Sequence, residues 1–250
     1  MFGFINSARM KWKEFNFEFH YSRRKQIKWR QLNGIDLEIS DELMKKSICR
    51  YIYNGIYETD EHKILTETFN ADDTLLELGT GIGYNTIYCA KKSHNRVTSF
   101  EGNSSLIPLI KKNMKKNDTD FDVRNEILVS QNAEELTSTF NIAEEFWFSS
   151  LKTDPGARIT HQITVPTCSV KQVISEVNPT YLLVDIEGGE EEFFRDSSFL
   201  ANSSIKKILV ELHPWAIGDE KCNAIITNIL RNGFTMKIDL SPKHIMYFYK

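Results

Sequence analysis

The chain has 250 residues, 41% hydrophobic and 26% charged, with a net charge of -3 at neutral pH. That suits one substantial globular domain, and the slight acidity gives no overall reason to expect a nucleic-acid partner. Cys49, Cys89, Cys168 and Cys222 are scattered, with no CxxC pair, which speaks against structural zinc or a disulfide framework and for free thiols in a reducing compartment. The opening MFGFINSARMKWKEF lacks the apolar core and small-residue cleavage site of a signal peptide. No stretch reaches the roughly 18 apolar residues of a membrane span, so a cytoplasmic protein is expected.

The first thirty residues are locally basic. Arg9, Lys11, Lys13, Arg23, Arg24, Lys25, Lys28 and Arg30 face only Glu14 and Glu18. A solvated face is the plain reading; a patch for an anionic polymer or membrane surface is the sharper one. IKWRQLNGIDLEI alternates on both sides of Asn33-Gly34, a strong hairpin signal. Ser40-Asp41 then caps a helix through Leu43, Met44 and Ile48, and an amphipathic helix spans 60–70. Residues 1–56 thus read as an appendage of hairpin and helix, ahead of a main domain over 57–250.

From Asp73 strands and helices alternate. TLLELG is a strand and NTIYCAKK a helix; RVTSFE is the second strand and SLIPLIKKNMKK the second helix, with Pro108 in its first turn. NEILVS reads as the third strand, followed by a long, less regular segment over 133–165. Within it FNIAEEFWF fits an amphipathic packing helix, or else an aromatic wall for an acceptor. SVKQVISEV is helical, YLLVDIE is the fourth strand, and EEEFFRD starts a helix. KKILVELH is the fifth strand, and CNAIITNILRN is a helix ending at Gly233. FTMKIDL and HIMYFYK close the chain as a strand pair. The pattern predicts an α/β fold, a mostly parallel seven-stranded sheet with helices on both faces and an antiparallel C-terminal pair.

In such a sheet ligands bind beyond the carboxyl ends of the strands. LELGTGIGYNT places Gly79, Gly81 and Gly83 after the first strand. A dinucleotide fingerprint would read G-x-G-x-x-G; here the third glycine comes one residue early, and the pattern is E-x-G-x-G-x-G with Glu77 at its head. This resembles the first motif of the Rossmann-like, class I S-adenosylmethionine-dependent methyltransferases. The resemblance implies a cofactor lying along Gly79, Thr80, Gly81, Gly83, Asn85 and Thr86, with Glu77 facing positive charge. Glu101 ends the second strand, where a carboxylate can accept both ribose hydroxyls. Gln131 and Asn132, after the third strand, are candidates for reading the adenine edge, though loop amides are often only turn residues.

A second constellation begins at VDIEGGEEEFF. Asp185 ends the fourth strand and Glu187 follows; Glu211, His213 and Pro214 end the fifth. Asp185, Glu187, Glu211 and His213 are therefore expected at one rim, beside the cofactor loop, with Asp185 reaching the cofactor as well. For Glu190, Glu191 and Glu192 the preference of a helix's first turn for acidic residues is explanation enough. Together, Tyr57-Glu58, LELGTGIGYNT, SFEGN, VPTCSV, LLVDIEGGE and ILVELHP resemble the FkbM family of methyltransferases over most of residues 57–215. Gly102 departs from it, since the family usually has proline there.

The resemblance implies an O-methyltransferase acting on a hydroxyl of a sugar or glycan, by direct transfer of a sulfonium methyl group. Alternatives are a polyketide, lipid or peptide acceptor, or a cofactor-binding partner subunit without turnover. Alignment of the reactants would supply much of the acceleration, and a positioned base about 10²–10⁴-fold. His213, Asp185 and Glu187 are candidates for that base; a histidine capping local carbonyls is the plain alternative for His213. No metal site is predicted; a divalent cation held by the same carboxylates is the less favoured reading.

Overall fold

In the computed structural model, residues 16–19, 21, 28–39, 43–130, 136–152 and 156–250 are described. Two strands, β1 (Trp29–Leu32) and β2 (Ile35–Glu38), form the hairpin on Asn33-Gly34. Both turn residues have positive φ, 46° and 81°, the geometry a two-residue turn between right-twisted strands needs. Helices α1 (Lys46–Asn54) and α2 (Thr59–Thr68) follow. The first begins at Lys46, with Lys45 as an N-cap that makes no side-chain capping bond. It thus starts later than the Leu43–Met44 run suggested, and Ser40-Asp41 lie outside the described residues.

The main sheet has seven strands: β3 (Leu75–Leu78), β4 (Val97–Phe100), β5 (Asp122–Arg124), β9 (Tyr181–Val184), β10 (Lys207–Glu211), β11 (Thr235–Met236) and β12 (Ile245–Tyr249). Their spatial order is β11-β12-β10-β9-β3-β4-β5. The five from β10 to β5 are parallel, and β12 runs antiparallel to β10 and β11. Burial on two faces explains why β3 and β9 read LLEL and YLLV. Leu75, Tyr181 and Leu183 enter the core on one face, with Ile48 and Ile52 of α1, Ile64 and Leu65 of α2, Ile87 of α3 (Tyr84–Lys92) and Ile110 of α4 (Ile107–Lys116). Leu76, Leu182 and Val184 enter on the other. There they meet Val173 of α5 (Val170–Val177), Phe193 of α6 (Glu190–Phe193) and Ile225 of α8 (Asp219–Arg231), which follows the short α7 (Pro214–Ile217).

The hairpin is stitched to this core. Ile35 and Leu37 share the first cluster. Two asparagines one turn apart, Asn113 on α4 and Asn117 at its C-cap, serve the outer edge of β2: Asn117 Oδ1 accepts the Asp36 N–H at 2.9 Å, and Asn113 Oδ1 accepts the Glu38 N–H at 2.9 Å. Asn113 also donates to the Ile82 carbonyl at 2.9 Å.

Two expectations are corrected. The third strand of the main sheet is Asp122–Arg124, not NEILVS. This polar edge strand is held by an ion network in which Arg124 and Arg96 reach Asp122 and Glu176; the apolar run behind it was the louder signal. NEILVS instead supplies β6 (Ile127–Val129) to a separate three-stranded sheet with β7 (Thr137–Ala143) and β8 (Ile159–Ser169). The segment taken as irregular, and the helix proposed for FNIAEEFWF, are an antiparallel β7–β8 ribbon followed at its tip by a 3-10 turn over Phe146–Phe148. Among the described residues no helix is long and apolar enough to cross a membrane.

Candidate active site

The sheet reverses its strand order between β3 and β9, so the turns after these neighbours part and leave a crevice. Leu78 lies beside Val184, and the Asp185 N–H donates to the Leu78 carbonyl at 2.9 Å. Gly79 comes next on one strand and Asp185 on the other. Gly79 has φ 88°, and a Cβ there would lie 1.6 Å from the Asp185 carbonyl oxygen. Nothing but glycine fits: the backbone itself occupies the space. Gly81 and Gly83 also have positive φ, and Gly83 caps the N-terminus of α3.

Above this junction opens a cleft with a volume of about 100 Å³, open to solvent on one side. Gly79, Gly81 and Glu101 form one side of it, and Asp185 and Glu187 another. Glu101, 7% exposed, is gripped at both oxygens: the Gly81 N–H donates to Oε2 at 2.8 Å and the Asn103 N–H to Oε1 at 2.8 Å. Burial nevertheless pushes its carboxyl up to about 7, the two amides pulling the other way and Asp185 adding to the rise.

Glu77, Thr80, Gly83, Asn85 and Thr86 are buried and lie outside the cleft wall. Glu77 accepts a hydrogen bond from the Thr86 hydroxyl, and burial raises it to about 8. Instead of facing a ligand, it ties the strand β3 to the helix α3. Asn85 donates to Glu58 Oε2 at 2.8 Å, holding at the cleft a carboxylate that burial raises well above its usual range. Tyr57 and Glu58 both stand at the wall. Gln131 and Asn132 lie outside the described residues; Glu126, Ile127 and Leu128, just before them, line the cleft.

The acidic rim assembles around His213. The ring is 1% exposed, with Nδ1 3.0 Å from Glu190 Oε1 and Nε2 3.3 Å from Glu187 Oε2 and 3.6 Å from Asp185 Oδ1. Burial disfavours the charged ring, but Glu190, then Glu187 and Asp185, outweigh it and raise His213 to about 9. Asp185 is pushed up to about 7, chiefly by burial. Glu211, hydrogen-bonded to Glu61, is pushed up to about 11 by burial, with Asp185 and Glu61 adding to it. Asp185 and Glu187 face the cleft, while Glu211 and His213 stand behind them.

Glu190 is more than a first-turn acid. Fully buried, it accepts the Gly188 N–H at 3.0 Å and the Ile186 N–H at 3.2 Å while it holds His213. It thereby locks the D-I-E-G-G-E turn, in which Glu187 (φ 51°) and Gly188 (φ 97°) are both left-handed. The clue lay in the sequence: a glutamate three residues after a strained glutamate-glycine step can fold back on the turn. Also unforeseen as cleft residues are Phe100 and Ile186. Phe140, Phe146 and Trp147 reach the wall from the β7–β8 ribbon and the 3-10 turn at its tip.

Comparison with known proteins bears on this arrangement. The FkbM methyltransferase domain matches residues 76–236. No curated protein matches. Among solved structures, the chain is similar to a methyltransferase from Pyrococcus furiosus (14% identity, 98% of this chain and 98% of that chain covered, TM-score 0.43). It is similar to the Pyrococcus abyssi tRNA (uracil-54, C5)-methyltransferase in complex with S-adenosyl-L-homocysteine (14%, 88% and 42%, 0.49). It is similar also to an O-methyltransferase from Bacillus cereus (12%, 78% and 81%, 0.43). The domain match covers well over half of the chain and takes in both the glycine loop and the D-I-E-G-G-E turn. The chain therefore belongs to the FkbM methyltransferase domain family, and it is a methyltransferase with a class I, Rossmann-like α/β fold.

Proposed function

We propose that this enzyme draws its methyl group from S-adenosylmethionine and delivers it to a hydroxyl of a sugar or glycan. The observation that carries the donor half is Glu101. Its carboxylate is fixed by two backbone amides at the edge of the cleft, beside the bare glycine backbone of Gly79 and Gly81. A carboxylate so held presents acceptor lone pairs to a vicinal diol, which a ribose offers. When bound, S-adenosylmethionine supplies an electrophilic methyl on a sulfonium. Gly79 and Gly81 let it lie against the chain, and Glu101 sets its depth.

The acceptor half rests on the opposite wall. Asp185 and Glu187 offer carboxylates for hydroxyl donors, while Phe146 and Trp147 offer faces on which a sugar ring stacks. The hydroxyl oxygen takes the methyl group, and its proton passes to the carboxylate–histidine cluster of Asp185, Glu187 and His213. Incubating the purified chain with isotopically labelled S-adenosylmethionine and panels of glycans, lipids, peptides and RNA tests this reading. Methyl ethers on glycan hydroxyls are the expected product by mass spectrometry; label confined to lipid, peptide or RNA overturns it.

A further inference from the structure

The acidic rim has a shape that proton transfer alone leaves unexplained. One ligand-type atom each from Asp185, Glu211 and His213 lies within 4.8 Å of the other two. Ligands about 2.1 Å from a shared ion stand about 3.0 Å apart at right angles and about 4.2 Å apart when opposite. The separations here, 3.6 Å from His213 Nε2 to Asp185 Oδ1 among them, thus need only a small inward adjustment. Two further features favour an ion. Asp185 Oδ1 is a buried atom that accepts no hydrogen bond, although the side chain as a whole is 29% exposed. The imidazole is oriented as a metal-binding imidazole usually is: a carboxylate, Glu190, holds Nδ1, and Nε2 faces the Asp185 side. Glu187 Oε2 lies 3.3 Å from the same nitrogen. Among the described residues, no lysine or arginine forms an ion pair with Asp185, Glu190 or Glu211. Positive charge must come from the histidine, from bound protons or from a cation.

We infer that Asp185, Glu211 and His213 form a divalent-cation site at the floor of the cleft, with Glu190 as the residue that positions the imidazole. Two carboxylates and one imidazole suit manganese or zinc better than calcium. An ion there touches Asp185, which lines the cleft, and so lies where an acceptor hydroxyl can reach it. That last step rests on the methyl-transfer reading; the site itself does not.

The test is manganese binding to the full chain after exhaustive chelation, followed by electron paramagnetic resonance and calorimetry. One saturable Mn²⁺ per chain is expected. Glu211→Gln and Asp185→Asn should each weaken it at least tenfold with the circular dichroism and melting temperature retained. Glu190→Gln, which leaves the ligands in place, should weaken it by about 10–100-fold. Glu101→Gln should bind Mn²⁺ as the parent does while losing S-adenosylhomocysteine affinity. Failure of the methyl-transfer reading with intact Mn²⁺ binding would then be told apart from failure of the ion site. No saturable Mn²⁺ or Zn²⁺ binding in the parent chain, or binding unchanged in both folded ligand variants, overturns the inference.

Discussion

Gly79 decides the most at the scale of one residue. Its missing side chain is what lets the β3 turn rest on the Asp185 carbonyl, and the conflict with a methyl group is with backbone, which cannot swing aside. Gly79→Ala should therefore cost more than about 3 kcal/mol, since it adds positive-φ strain to a hard clash. Chemical denaturation reads that loss, and an alanine variant of parental stability would contradict the geometry. Glu101 sets a pH dependence. Its folded carboxyl sits near 7, above the ordinary range. Its contribution to stability is therefore present at low pH and is lost as pH climbs through that value. Ligand binding runs the other way, because hydroxyl donors prefer the ionised form. Affinity for S-adenosylhomocysteine should rise about tenfold between about pH 6 and 8, and Glu101→Gln should bind weakly with a flat profile. The glycine spacing and Glu101 were legible in the chain because each answers to local backbone demands. The inward turn of Glu77 was not, since its partner Thr86 lies nine positions on, across a strand-to-helix bend.

Among the elements, α4 and the ribbon differ most from what their sequences suggest. NMKKN reads as the solvated end of a helix, yet Asn113 is fully buried and Asn117 nearly so. Together they satisfy the edge of β2 that no strand pairs, as buried amides require. Asn113→Ala would strand the Glu38 N–H and the Ile82 carbonyl, at a cost of about 2–4 kcal/mol. Hydrogen exchange at Asp36 and Glu38 should quicken, and unchanged protection there would show that the clasp is dispensable. The ribbon was hidden for a different reason. Pro166 interrupts ITHQITVPTCS, and a proline inside an apolar run argues against a paired strand. In the fold it falls where β8 changes partner: up to Pro166 the strand pairs with β7, and from Thr167 with β6. A residue without an N–H suits such a handover.

For the whole molecule, the positions of β3, β4, β9 and β10 were readable because these strands are short and apolar and a helix follows each. What joins the parts was not readable, since it depends on contacts between residues far apart in sequence. The residues ahead of 57 show this best. Leu32, Ile35, Leu37, Ile48 and Ile52 belong to the same cluster as Leu75 and Tyr181. A chain beginning at residue 57 should therefore melt at a lower temperature, expose apolar surface to a hydrophobic dye and lose S-adenosylhomocysteine binding. A melting temperature equal to the parent's would mean that the hairpin is a passenger.

The contact of Gly79 with the Asp185 carbonyl also bears on how such an enzyme can diversify. Two turns welded back to back cannot be remodelled separately, so any drift that reshapes the grip on the donor disturbs the rim that meets the acceptor. Innovation is thereby steered to the detachable part of the cleft. Exchanging the β7–β8 ribbon and its aromatic tip between relatives is the graft by which a new substrate preference should travel with the chemistry left whole.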